Sequence, residues 1–197
     1  MCNAWCLALL AAASATSSNL KESAVGARNV GDHTEFILIT ARGWVRFAVG
    51  ADWKVLSMET KKPMKVALFQ ISSEADEGTP DSTNITVILY EMDSKEASDV
   101  FSATHHKAER GEKSLVEQWD VFKEQAKQEK TTYSVRTAFR DVADVHVAVR
   151  LGWPHLSKNA ATYESEMEET FRALLSSLTG ELGNYERRPG EFFQRPQ

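Results

Sequence analysis

The sequence predicts a single α/β domain, in which an antiparallel sheet is covered by helices on both faces. Two central segments, residues 64–72 and 85–92, carry apolar side chains at both alternating positions. Strands of this kind are typical of a sheet that is buried on both sides. A third segment, residues 159–178, repeats apolar residues at helical spacing and precedes Gly180, which predicts a helix stop. This helix is long enough to cover one face of the sheet.

The chain enters this domain through shorter strands. Residues 36–40 are an apolar run, and residues 44–49 alternate, with apolar side chains at the odd-numbered positions. Residues 50–52 (Gly-Ala-Asp) predict a turn, after which residues 53–58 resume an extended pattern. Trp44 has the parity opposite to the apolar residues. It is therefore either part of the core under a helix or an exposed part of a partner-binding surface.

A capped helix is predicted after the second central strand. Asp93 or Ser94 can cap its first turn, and apolar residues follow at helical spacing to about His106. The two central strands are joined by an acidic loop, residues 72–84, whose carboxylates suggest a cation site. Its spacing matches no calcium-binding loop, so we interpret it as a solvated connection.

Residues 113–130 fit two patterns. The composition favours a helix, with a capping-box pattern at residues 114–117. A strand over residues 119–126, paired antiparallel with residues 133–140, is favoured instead by cross-strand complementarity. In that register the opposing pairs are Glu124 with Arg136, Asp120 with Arg140, and Val121 with Phe139.

The two strands before the last helix are the clearest in the chain. Residues 133–140 and 145–153 both alternate between a mainly apolar set and a second set of side chains that includes the arginines and His146. In both strands the apolar residues have odd numbers, so the apolar faces coincide only if the numbers of paired residues add to an even number. This register predicts a loop of three or five residues around residues 142–144. The polar face of the pair would then carry Arg136, Arg140, His146 and Arg150.

Motifs of known catalytic sites are missing from the sequence, which contains no G-x-S-x-G, no H-E-x-x-H and no phosphate-binding loop. His105 and His106 are adjacent on a predicted helix, so their side chains diverge and form a poor metal site. We therefore predict no catalytic residue, no metal and no cofactor. The candidate binding residues are Trp44, Arg136, Arg140, His146, Arg150 and His155.

Two of these candidates allow a second interpretation. His146 would contact an anion or carboxylate of a partner, or it would lie on a solvated sheet face paired with Asp120 and Glu124. His155 follows a Trp-Pro pair at a strand-to-helix corner. Such a corner exposes a conformationally fixed side chain for binding, or it is only a rigid turn.

The first eighteen residues indicate export. Residues 5–13 are an apolar run that ends near Ala-Ser-Ala at residues 13–15, a cleavage site for a signal peptidase. Both cysteines, Cys2 and Cys6, lie in this segment. The mature chain would therefore begin near Thr16 without a thiol, in a periplasmic or secreted location.

The rest of the chain divides into three parts by composition. We expect a leader over residues 19–35, one domain over residues 36–180 and a flexible tail over residues 181–197. No downstream segment has the roughly 18 apolar residues that a membrane span needs. The formal net charge of −5, without a basic block, argues against a nucleic-acid partner.

This order of elements resembles the PsbP/Mog-like family of α/β/α sandwiches. Residues 47–54 (Phe-Ala-Val-Gly-Ala-Asp-Trp-Lys) resemble the family's opening F-x-(I/V)-P-x-x-W hairpin, with Gly50 in place of the proline. Residues 75–84 and 149–156 are also similar to segments of small exported bacterial proteins of unknown function. The resemblance covers roughly residues 36–179. It implies binding roles, like those of photosystem accessory proteins, a Ran-binding factor and chaperones of secreted effectors.

We therefore expect an exported, non-enzymatic domain that binds a protein partner through a sheet edge or loops, as an immunity protein or a chaperone does. The alternative is a small periplasmic hydrolase or a metal-dependent enzyme that uses His146 or His155. That alternative requires one of the two histidines to lie within reach of an acidic group inside a pocket.

Overall fold

A computed structural model of the chain describes residues 24–40, 42–50, 53–61, 66–73, 83–128, 131–155, 160–186 and 188–194. The strands, in chain order, are β1 Ala24–Val30, β2 His33–Ile39, β3 Gly43–Gly50, β4 Trp53–Lys61, β5 Val66–Ser73, β6 Asn84–Glu91, β7 Glu112–Val116, β8 Trp119–Gln128, β9 Thr131–Val142, β10 Val145–Pro154, β11 Thr179–Leu182 and β12 Phe192–Gln194. The helices are α1 Lys95–Ala108 and α2 Ala160–Ser177.

These strands form two antiparallel sheets. The five-stranded sheet has the order β11-β3-β2-β1-β12, and the seven-stranded sheet has the order β4-β5-β6-β10-β9-β8-β7. Consecutive strands of the seven-stranded sheet are mostly neighbours, whereas the five-stranded sheet joins strands from both ends of the chain. For example, Ala27 of β1 pairs with Phe192 of β12.

One buried cluster joins the five-stranded sheet, one face of the seven-stranded sheet and α2. Phe47 of β3, Val147 of β10 and Phe171 of α2 are among its members. A second cluster lies on the opposite face of the seven-stranded sheet, where Phe101 of α1 packs among Tyr90, Phe122, Phe139 and Ala148. We call these two sides of the seven-stranded sheet the core face and the α1 face.

The predicted fold class, an α/β/α sandwich with helices over both faces of one sheet, is wrong. The described part of the chain is mostly strand, and a second antiparallel sheet supplies much of the cover on the core face. Burial of β6 on both sides was correctly predicted, since Val87 lies in the core cluster and Tyr90 lies under α1. Alternating burial identifies a covered strand, but it does not say whether a helix or a sheet covers it.

Part of the five-stranded sheet comes from segments that looked irregular in the sequence. Residues 19–35 were expected to be a leader and residues 181–197 a flexible tail. The structure places β1 and the start of β2 in the first segment, and β12 with the end of β11 in the second. Strands β11 and β12 are short and pair with strands far away in the chain, so local periodicity does not predict them. Strand β1 pairs with its neighbour β2, but its sequence does not alternate between apolar and polar residues.

Both helices agree with the sequence. Ser94 is the N-cap of α1, and its hydroxyl oxygen accepts a hydrogen bond from the Ala97 N–H over 3.3 Å. Helix α2 begins at Ala160 and ends at Ser177. Its predicted apolar stripe packs in the core cluster, through Tyr163, Met167, Phe171, Leu174, Leu175 and Leu178.

Gly180 has a different role from the predicted helix stop, because it lies within β11. A Cβ atom at this position would lie 2.7 Å from the Trp44 carbonyl oxygen and 2.7 Å from Cγ1 of Val142. Glycine is required here by the close approach of β3 and β9, and not by the end of α2.

Residues 113–130 contain β7 and β8, so the favoured strand interpretation is confirmed and the helix is not formed. The predicted register is wrong by one residue. Asp120 pairs with Phe139, and Lys123, rather than Glu124, pairs with Arg136. A slip of one residue exchanges the two faces of a strand, so the charge pairs that motivated the prediction do not form across this ladder.

The register between β9 and β10 also differs from the prediction. Val142 pairs with Val145, which leaves a two-residue turn at Ala143 and Asp144 in place of a loop of three or five residues. Ala143 has a φ of 53°, as such hairpin turns require. The Asp144 carboxylate accepts hydrogen bonds from the Thr40 hydroxyl at 2.8 Å and the Arg42 N–H at 3.1 Å. These bonds to the β2–β3 connection hold a turn that has no Asn-Gly signal in the sequence.

Some predictions fall outside the described residues. They concern the signal peptide over residues 1–18, the turn at residues 51–52 and most of the acidic loop, residues 74–82.

Candidate functional site

The six candidate binding residues do not form one site. Residues of β9 and β10 pair so that an even-numbered residue lies opposite an odd-numbered one. The predicted polar face is therefore divided. Arg136 and Arg140 lie on the core face, whereas His146 and Arg150 lie on the α1 face. Trp44 is on the five-stranded sheet, and His155 follows the end of β10.

Arg136 links β9 to α2. Its Nε donates to the Glu168 carboxylate at 2.6 Å, and its Nη2 lies 3.4 Å from an oxygen of Glu164. The guanidinium also lies over the ring of Trp153, at 4.9 Å from the centroid. Only 8% of the Arg136 side chain is exposed. Its charge is matched inside the protein, so Arg136 positions α2 and does not offer a surface for a partner.

Arg140 and Arg150 are also engaged within the sheet. Arg140 lies over the buried ring of Trp119, at 5.7 Å from the centroid. Arg150 lies 3.5 Å from a carboxylate oxygen of Glu124 on the α1 face. His146 does not pair with Glu124 and Asp120, as the second interpretation expected. Asp120 pairs with Lys113 at 2.9 Å, and Glu124 is the partner of Arg150.

His146 is the centre of a polar cluster under α1. Its Nδ1 lies 2.6 Å from the Oδ1 of Asp141, which faces it across the β9–β10 hairpin. Its Nε2 lies 3.4 Å from the Ser98 hydroxyl oxygen on α1. The imidazole stacks on Phe101, with centroids 4.4 Å apart and planes inclined by 10°. The side chain is 20% exposed, and its contacts with Asp141, Ser98 and Phe101 hold the ring in one orientation.

This cluster has the composition of a nucleophile, a base and an orienting acid. The carboxylate of Asp141 accepts the Nδ1–H of His146, which leaves Nε2 free to accept the hydroxyl proton of Ser98. The Ser98–His146 distance of 3.4 Å exceeds the usual 2.6–3.2 Å range. The N–H groups beside the hydroxyl are engaged, since Ser98 donates to the Ser94 carbonyl at 3.0 Å and Ala97 donates to the Ser94 hydroxyl. These two N–H groups are therefore not available to stabilise an oxyanion.

His155 lies at the corner after β10. Its Nε2 is 2.7 Å from the Ser134 hydroxyl, and its own N–H donates to the Thr132 carbonyl at 2.8 Å. The residue is exposed, whereas Ser134 is buried. A buried hydroxyl is not available as a nucleophile, so these bonds fix the corner.

Trp44 lies on the outer face of the five-stranded sheet, opposite the core. Tyr185 meets its ring edge-on at a centroid distance of 5.5 Å, and the Arg46 guanidinium lies 5.6 Å from its centroid. The tryptophan is half-buried. Trp44 is therefore neither buried under a helix nor fully exposed, because Tyr185 covers part of its ring.

The residue-level predictions missed two exposed leucines on terminal strands of the sheets. Leu115 is 71% exposed on β7, the last strand of the seven-stranded sheet. Leu182 is 61% exposed on β11, an edge strand of the five-stranded sheet. A sheet edge or loops were expected as the binding element, but β7 could be located only after the helix alternative for residues 113–130 was excluded.

The described residues contain neither a metal-binding cluster nor a membrane-spanning helix. Within them, no group of three or more His, Cys, Asp or Glu side chains could hold a metal ion. His105 and His106 both contact Glu109, at 3.3 and 3.0 Å. Neither α1 nor α2 is long and apolar enough to cross a membrane.

Comparison with known proteins gives little further information. Neither a protein-family model nor a curated protein sequence matches this chain. A crystal structure from Bacteroides thetaiotaomicron VPI-5482, determined at 1.50 Å, is similar with a TM-score of 0.44 and 11% sequence identity. The match covers 76% of this chain and 49% of that chain, so it spans about half of the other protein. At this level of similarity, neither the fold nor the function of this chain follows from it.

Proposed function

We propose that this chain is an exported domain without catalytic activity that binds a protein partner through the edge of its seven-stranded sheet. The observation that carries the proposal is β7, a five-residue terminal strand with an apolar side chain, Leu115, that is 71% exposed. An immunity protein or a chaperone, the two specific roles expected from the sequence, requires such a partner.

Strand addition is the recognition mode that suits this edge. Alternate residues of a terminal strand direct their N–H and C=O groups away from the sheet, where an extended segment of another protein can pair with them. Leu115 lies on the same side of β7 as Lys113, whose ammonium pairs with Asp120 on β8. A partner strand would gain main-chain hydrogen bonds from β7 and an apolar contact from Leu115.

Partner capture with matched edge variants tests this proposal. Purified mature protein is incubated with periplasmic extract and with the products of neighbouring genes, and bound proteins are identified by mass spectrometry. We expect Leu115→Asp to lose the partner, because a carboxylate is desolvated in the new interface. Leu182→Asp, on the edge of the other sheet, should retain it. Equal capture by both variants, or capture of nothing, would reject β7 as the binding site.

A hydrolase is the second candidate, favoured by one specific observation. Ser98, His146 and Asp141 are connected in the order that nucleophilic catalysis uses, with distances of 3.4 Å and 2.6 Å. Covalent labelling by a fluorophosphonate probe distinguishes this function from binding alone. Labelling of the wild type at Ser98, lost in His146→Gln, would support a hydrolase. The binding proposal predicts no labelling at Ser98 at any pH at which the protein is folded.

A further inference from the structure

Strand β7 forms one edge of the seven-stranded sheet, and among the described residues its hydrogen-bonded neighbour is β8 alone. Val116 closes the two-residue turn that leads to β8, in which Glu117 has a φ of 53°. The two residues that close such a hairpin bond to each other, so Val116 and Ser114 direct their N–H and C=O groups to β8. Lys113 and Leu115 therefore direct their N–H and C=O groups away from the sheet.

The side chains of this edge do not prevent self-pairing. An edge lysine usually keeps two copies of a strand apart, because its charge is unmatched between them. Here the Lys113 ammonium lies 2.9 Å from a carboxylate oxygen of Asp120 and 5.7 Å from the ring centroid of Phe122. Its charge is therefore matched within one copy. Strand β7 itself carries one carboxylate, Glu112, and one ammonium, so two copies of the strand meet without net charge.

Backbone geometry limits how an antiparallel second copy can pair with β7. Outward-directed groups must meet outward-directed groups, so Lys113 and Leu115 can lie opposite only such residues of the second copy. An alignment of Lys113 with itself brings two ammonium groups together. An alignment of Leu115 with itself gives one hydrogen-bonded pair, because Glu117 lies in the turn. An alignment centred on Ser114 places Lys113 opposite Leu115 twice, so every outward N–H and C=O group of both strands is bonded.

We propose that two copies of the chain pair through β7 in the register centred on Ser114, and that this dimer covers the edge until a partner strand displaces it. The contact is isologous, and it joins the two seven-stranded sheets into one continuous sheet. Each Leu115, 71% exposed in one copy, then lies against the Lys113 stem of the second copy.

The size of the edge makes this dimer exchangeable. Stable interfaces bury roughly 1,200–2,000 Å², and a strand of five residues offers a much smaller contact. The dimer should therefore form and dissociate with protein concentration. Its regulatory role rests on the partner site proposed above, whereas the dimer itself can be measured without any partner.

Cysteine cross-linking tests the pairing and its register. The protein is the full chain with Cys2→Ser and Cys6→Ser. Ser114→Cys places two thiols in a pair that is not hydrogen-bonded, with Cα atoms about 4.5 Å apart, which a disulfide can span. We expect mild oxidation to give a covalent dimer, detected by intact mass and on a non-reducing gel.

Glu112→Cys is the matched control on the same strand. In the proposed register residue 112 lies opposite Val116 of the second copy, so its thiol is displaced from its counterpart by four residues, about 13 Å along the strand. This variant should remain monomeric under the same oxidation. Equal cross-linking of Ser114→Cys and Glu112→Cys, with both variants folded by circular dichroism, would overturn the pairing. Stronger cross-linking of Leu115→Cys than of Ser114→Cys would overturn the register.

Dimer formation without a cross-link is measured by sedimentation over a range of concentrations. We expect the wild type to dissociate on dilution and Leu115→Asp to dimerise at least tenfold more weakly, because its carboxylate is desolvated against the second copy. Leu182→Asp, on the other sheet, should dimerise like the wild type. Equal dimerisation of wild type and Leu115→Asp would exclude β7 as the dimer contact.

Addition of a captured partner separates this inference from the proposed function. A partner that binds β7 should convert the dimer into a complex with one copy and reduce the Ser114→Cys cross-link. A complex that contains the partner and the β7-linked dimer together would overturn the displacement. A wild type that stays monomeric while β7 captures a partner would overturn the self-pairing and leave the proposed function intact. A β7 dimer without any captured protein would support the self-pairing and reject the proposed function.

Discussion

Substitution of Phe171 by alanine tests how α2 is held in the core. The ring is 2% exposed and belongs to the cluster that contains side chains of both sheets. Removing a buried phenylalanine side chain costs about 3–5 kcal/mol, because apolar transfer energy is lost and a cavity is left. Domains of this size have a total stability of about 5–15 kcal/mol, so the variant should fold with a much reduced margin.

The expected change is large enough to measure by thermal unfolding. For a domain of this size, each kcal/mol shifts the Tm by about 2–4 °C, so Phe171→Ala should lower it by about 6–20 °C. Leu115→Ala is the matched control, since that side chain is 71% exposed and its truncation should change the stability by about 0.5 kcal/mol or less. A Phe171→Ala protein that melts with the wild type would show that α2 does not pack between the sheets as described.

Four further predictions concern other parts of the chain. Gly180→Ala should lower the Tm, since overpacking against the Trp44 carbonyl oxygen at 2.7 Å costs about 1–3 kcal/mol. Arg136→Ala should cost about 1–3 kcal/mol in urea unfolding, because Glu164 and Glu168 lose a charged hydrogen-bond donor although both carboxylates are partly solvated. Arg136→Met should cost less. The pKa of Glu35 is lowered because the Arg28 hydrogen bond and charge outweigh burial, so this pair stabilises the fold above the unfolded-state pKa and loses its effect as the pH falls through the lower folded-state value. Glu35→Gln should accordingly flatten the loss of stability on acidification, as measured by urea unfolding at a series of acidic pH values. Intact mass of the periplasmic protein should correspond to a chain that begins near Thr16, and a full-length chain found only in the cytosol would exclude export.

The sequence predicted the elements well where their signal is local. Both helices and the strands β9 and β10 have strong periodicity, and Ser94 is a recognisable N-cap. The five-stranded sheet was not recognised because its edge strands β11 and β12 are short and pair with partners far away in the chain. Thr179, for example, pairs with Arg46, and nothing near Thr179 in the sequence indicates this. Strand β1 pairs with its neighbour β2, but its sequence does not alternate.

The candidate site depends on the register between β9 and β10. An even register would have placed His146 beside Arg136 and Arg140 on one polar face, as the alternating pattern suggests. The two-residue turn at Ala143 makes the register odd, so Arg136 is buried against α2 while His146 meets Asp141 and Ser98. This turn is held by hydrogen bonds from the Asp144 carboxylate to Thr40 and Arg42, about a hundred residues away in sequence.

The binding edge and the Ser98 cluster could not be found from motifs, because strand order and register create them. Ser98 becomes part of a cluster only when α1 packs on the face that His146 occupies, and Leu115 becomes exposed only when β7 is the terminal strand. Tyr185 covers Ile37 only because β11 and β12 lie at opposite edges of one sheet. Each feature is a consequence of strand order and register, which arise from long-range pairing. Functional residues that are brought together in this way form no recognisable sequence motif. The topology has to be known before their chemistry can be proposed.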